Sequence, residues 1–124
     1  MVFHWLDWIG ALYIALSITL YHFLKKRYPE KYFTLLRFHT FGNLVSAALV
    51  SAHVVQQLTR STLPTLATGL TLILALALLI SSGIILRFFG KFPKVKSVKF
   101  LHKGATVAFY LDLFVHILHG LGYI

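Results

Sequence analysis

Four apolar stretches, separated by short connections rich in basic residues, set the pattern of this chain. They run over about 5–24, 34–58, 65–88 and 98–123. Each has about the twenty residues that a helix needs to cross a bilayer. Trp5 and Trp8 suit an interfacial aromatic belt at the start of the first. Pro29 disfavours helix at the residue before it, and Pro64 can open the third helix. Short connections between apolar helices predict an all-α, integral membrane four-helix bundle with up-down-up-down topology, one domain over 1–124.

Composition sharpens this expectation. Of 124 residues, 58% are hydrophobic and 12% charged, too much apolar surface for a soluble domain of this size to hide. The absence of cysteine excludes disulfides, iron–sulfur clusters and thiolate metal sites. The formal charge is +9, but the basic residues cluster between the apolar stretches. That reads as membrane topology facing anionic lipid rather than nucleic-acid binding. The connections around Lys25-Lys26-Arg27 and Arg87-to-Lys99 are strongly basic, whereas that between the second and third stretches has only Arg60. The positive-inside rule then puts both termini outside, in what is expected to be a prokaryotic cell membrane. No basic segment precedes the first apolar run, so a cleaved signal peptide is not expected.

The polar residues inside the spans carry the chemistry. His39 and His53 lie in the second span, His102 and His116 in the fourth, each pair fourteen residues apart. On an α-helix fourteen residues rise about 21 Å and return to within about 40° of the starting direction. Each helix would present two imidazoles on one face at two depths. In the expected topology the two helices run parallel, so His39 matches His102 near the inner end and His53 matches His116 toward the outer. Two neutral imidazoles are the axial set of a low-spin, electron-transferring haem, and two haems b per chain are expected, with these four histidines binding the iron. Gly69 and Gly83, also fourteen apart, fall at the depths of the two pairs, where they would let a flat ring approach the third helix. The competing explanation is close helix packing by small residues. A single metal-transport centre is disfavoured, because sites about 21 Å apart on one helix do not surround one ion.

This pattern resembles the di-haem cytochrome b fold of quinol–cytochrome c reductases. The residues that carry the likeness are His39-x13-His53, His102-x13-His116 and Gly69-x13-Gly83. The resemblance implies haems inside a four-helix bundle, ligated from the second and fourth helices, with glycines on the other helices clearing their faces. Di-haem ferric reductases share similar spacing, so the motif points to two haems more than to one complex. There are departures: Gly10 is followed fourteen residues on by Leu24, no Pro-Glu-Trp-Tyr motif occurs, and the expected orientation is the reverse of the family's.

Other residues take secondary parts. Arg37, Lys99 and Lys103 are placed for the propionates of an inner haem and Arg60 for an outer one, although lipid headgroup contact explains each equally well. Phe109 and Ser46 fall midway between the paired histidines and are expected to face the gap between haems, with core packing as good an account for Phe109. Asp112, an acid in mid-span, needs protonation or a partner, for which Tyr13 is one candidate; it is also placed to take a quinol proton. The function these readings favour is electron transfer across or within the membrane, to or from quinone or a partner redox subunit. It would make the chain an electron carrier or a subunit of a membrane oxidoreductase. The alternatives are a small four-helix proton or metal transporter and a haem-free structural subunit of a membrane complex.

Overall fold

The computed structural model describes residues 2–60 and 63–124, with side chains described at 5, 8–59 and 68–124. Over those residues the chain is all-helical, and it divides into two compact units, Met1–Arg60 and Ser61–Ile124. Each is a helical hairpin. Arg60, singled out above, has its side chain outside the described ones.

The first hairpin comprises α1 (Val2–Arg27), a 3-10 turn (Pro29–Lys31), α2 (Tyr32–Arg37), a π-helical turn (Phe38–Gly42) and α3 (Asn43–Arg60). α1 carries Lys25, Lys26 and Arg27 in its last turn, where cations oppose the helix dipole. It stops because Tyr28, preceding Pro29, leaves helical geometry at φ −131 and ψ 69. Gly10 serves close packing here: a Cβ on it would stand 3.3 Å from the Ser46 carbonyl oxygen and 3.4 Å from Leu49 Cβ. Ile14, Ser46 and Ala47 are buried in the same seam, the small-residue contact that lets membrane helices approach.

The second hairpin comprises α4 (Leu63–Phe88) and α5 (Val95–Gly120). The Leu- and Ala-rich run of α4 combines high helix propensity with an apolar surface. Its seam is Leu72, Ala75, Leu79 and Ser82, packed on Ala105 and Phe109 of α5, all buried. α5 ends in a Schellman motif: Tyr123 N–H donates to the Leu118 carbonyl and Gly122 N–H to that of His119. Gly122 takes the left-handed conformation, φ 79, that this closure needs.

Three helical segments, Trp8–Arg27, Pro29–Thr59 and Thr68–Phe88, are long and apolar enough to cross a membrane. The expected fourth is not among them. α5 has the length, but Lys96, Lys99 and Lys103 in its first turns, together with His102, Asp112, His116 and His119, lower its hydropathy. Large apolar side chains point outward all along the hairpins, Leu12, Leu16, Leu20, Leu70, Leu74, Leu78 and Phe114 among them, which suits a hydrocarbon solvent better than water. Hydroxyls in the helices close on their own backbone: Thr19 donates to Ala15, Ser51 to Ala47, Ser82 to Leu78 and Thr106 to His102. These bonds satisfy them without water.

Candidate functional site

Each hairpin carries its histidine pair on its second half. In the second hairpin both imidazoles turn toward α4. His102, Phe109 and His116 recur every seven residues along α5, a repeat that drifts only about 20° per step. Phe109 is 3% exposed in the middle of that stripe, packed in the hairpin seam.

The two ends of the stripe are built alike. His102 Cε1 lies 3.4 Å from the place a Cβ on Gly83 would occupy, and its Nδ1 is 2.8 Å from Ser82 Oγ. His116 Cε1 lies 3.7 Å from the corresponding place on Gly69, and its Nδ1 is 3.1 Å from Thr68 Oγ1. The structure therefore brings Gly83 beside His102 and Gly69 beside His116. The glycines do not pack edge to edge against α5: a methyl at either would make only ordinary van der Waals contact. The adjoining hydroxyls were not singled out from the sequence, although Thr68-Gly69 and Ser82-Gly83 repeat at the spacing of the histidines.

In the first hairpin His39 faces α1. Its ring stacks on Tyr21 with centroids 4.4 Å apart and planes at 15°, and Lys25 Nζ sits 5.1 Å from the centre of that tyrosine ring. Asn43 Nδ2 donates to His39 Nδ1 at 3.3 Å, while Ser17 Oγ donates to Asn43 Oδ1 at 2.5 Å. His39 also lies inside the π-helical turn. Such a turn takes up about one residue more than an α-turn, so it shifts the register of the residues that precede it by up to about 100°. The single face expected for His39 and His53 assumed an unbroken α-helix, which the π-turn interrupts. His53 is half-buried, seven residues and about 20° from Ser46 on the seam of α3.

The π-turn is held from α1. Tyr13 Oη donates to the Phe38 carbonyl at 3.0 Å, and the Tyr13 ring occupies the space a side chain on Gly42 would need. Thus Tyr13 gives its proton to the π-turn. Arg37, Lys99 and Lys103 are exposed. His119 Nδ1 bonds the Ile124 main-chain oxygen at 3.1 Å, off the stripe of His102 and His116. Among the described residues, no group of three or more His, Cys, Asp or Glu converges to hold a metal ion. Comparison with protein families, curated proteins and solved structures finds no match to this chain.

Proposed function

We propose that this chain is a membrane b-type cytochrome. It would hold two bis-histidine haems b in a four-helix bundle whose fourth crossing is α5. His39 and His102 would hold the haem near the basic end, proposed to be inner, and His53 and His116 the haem nearer the other end, where the termini are proposed to lie. The observation that carries this reading is the repeated site of the second hairpin. Two imidazoles stand about 21 Å apart along one helix, each beside a glycine that hairpin packing does not itself require. Packing of α4 on α5 gives no reason to keep a side chain off Gly69 and Gly83, whereas a flat ring passing the α4 backbone does.

The donor set fits haem. Imidazole is a good axial ligand, two ligands suffice when a macrocycle supplies the other four, and no convergent cluster of protein ligands is needed. A bound haem supplies a one-electron iron couple. The chain's part is to hold the imidazoles at two depths, to exclude water with the Phe109 layer between them, and to offer Arg37, Lys99 and Lys103 to carboxylates at the inner surface. The lipid bilayer is the surrounding phase, and quinone or a partner redox subunit is the proposed exchange partner.

Single substitutions test the pairing. His102→Ala and His39→Ala should each abolish the same haem, and His116→Ala and His53→Ala the other, as read by difference spectra and haem content. Loss of neither haem in all four variants would remove the reading.

A further inference from the structure

We propose that Ser82 and Thr68 are positioning residues that set the tautomer of the imidazoles at the two sites. The assignment of those imidazoles to haem rests on the function proposed above. The Ser82 hydroxyl proton is committed to its own helix: Oγ donates to the Leu78 carbonyl at 2.6 Å, shared with the Leu79 carbonyl at 3.2 Å. An oxygen whose proton is engaged offers only lone pairs. The hydrogen in its 2.8 Å contact with His102 therefore comes from Nδ1. A neutral imidazole carries one ring proton, so a proton on Nδ1 puts the lone pair on Nε2, the nitrogen on the far side of Cε1.

The arrangement recurs one period away. Thr68 Oγ1 meets His116 Nδ1 at 3.1 Å, and a helical threonine hydroxyl has the same carbonyls of the preceding turn within reach. Each dipeptide, Thr68-Gly69 and Ser82-Gly83, contributes an oxygen to Nδ1 and an open stretch of backbone to Cε1. Two hydroxyl–glycine steps at the period of two histidines specify a ring orientation as well as a place. Helix adhesion by hydrogen bonding would be served by either tautomer; ligation through Nε2 is served by one. Ser82 is 2% exposed, so water does not compete for its oxygen.

The first hairpin is set the other way. There the Asn43 amide donates to Nδ1 of His39, which places the ring proton on Nε2. A half-turn of that amide reverses the chain: Ser17 Oγ keeps its bond to the Ile14 carbonyl at 3.3 Å and accepts from the amide, whose oxygen then takes a proton from Nδ1. Ligation through Nε2 is thus prepared at His102 and requires the Asn43 amide to turn at His39.

Histidine nitrogen NMR of the full chain in detergent micelles, without haem, reads the tautomers directly. His102 is expected with its proton on Nδ1, and Ser82→Ala is expected to shift it toward Nε2. Haem affinity should fall about 10–100-fold in Ser82→Ala and return in Ser82→Thr, which keeps the oxygen. Thr68→Val, which preserves shape, should weaken the other site alone. An Nε2 proton on His102 in the unsubstituted chain overturns the assignment, as does unchanged haem affinity in both Ser82→Ala and Thr68→Val. A chain that shows the expected tautomer, loses it in Ser82→Ala, and takes up no haem keeps the role of Ser82 and overturns the haem reading instead.

Discussion

The Cε1 edge of His102 lies 3.4 Å from the point at which Gly83 would carry a Cβ. That distance is van der Waals contact, not a clash, and it separates two reasons for a glycine. If Gly83 served only the fit of α4 on α5, alanine would serve as well and would raise helix propensity by about 0.5–1 kcal/mol. Gly83→Ala and Gly69→Ala are therefore expected to fold with unchanged or slightly raised thermal stability and yet to lose haem at the adjoining site. Thermal melts beside haem content would show this; full haem content in both variants would return the two glycines to helix packing.

Gly42 is the opposite case, because the Tyr13 ring fills its side-chain space. Gly42→Ala should overpack the first hairpin and cost about 1–3 kcal/mol. Adding Tyr13→Phe should not rescue it, since the ring as well as the hydroxyl is in the way; adding Tyr13→Ala should. Unfolding in denaturing detergent measures all three.

Tyr13→Phe by itself removes the bond to the Phe38 carbonyl. The expected cost is about 0.6 kcal/mol, the average for hydrogen bonds in a membrane setting. Its clearer signature is local. Hydrogen exchange should quicken in the π-turn, Phe38–Gly42, while the second hairpin keeps its protection.

Phe109 and Phe100 lie on the same helix with opposite surroundings, 3% and 81% exposed. Phe109→Ala should cost about 3–5 kcal/mol through the cavity it leaves, and Phe100→Ala should stay within about 0.5 kcal/mol. Equal losses in detergent unfolding would mean that Phe109 is not the centre of the α4–α5 seam.

The membrane crossing of α5 has its own test. Cysteines placed at Lys94 and Tyr123 are expected on opposite faces of the membrane. An impermeant thiol reagent added from outside should label Tyr123→Cys and spare Lys94→Cys, while Lys26→Cys and Lys91→Cys share the protection of Lys94→Cys. Labelling of both Lys94→Cys and Tyr123→Cys from one side would take α5 out of the bilayer.

The helical segments were legible because long apolar runs with basic ends have few other solutions. Observed bounds exceed the expected ones mainly at N-terminal ends: α1 begins at Val2, α4 at Leu63 and α5 at Val95. At the start of α5 and the end of α1 hydropathy stops marking a helix where lysines begin, although the backbone bonds continue through them. The π-turn was illegible. It depends on a tyrosine of α1 reaching a carbonyl and a glycine of the facing segment, a coincidence between residues twenty-five or more apart in sequence. The spacing of histidines and glycines in the second hairpin was visible as arithmetic. The hydroxyls on their Nδ1 atoms were not, because serine and threonine in an apolar helix ordinarily signal nothing beyond a bond to their own backbone.

Visible spectra of the detergent-purified chain, oxidised and then reduced with dithionite after expression with haem supplied, bear most directly on the proposed function when haem is counted per chain. The account predicts two low-spin b-type haems per chain, both lost when His102 and His116 are replaced together. A chain that binds no haem, or binds it equally well without those two histidines, would contradict it.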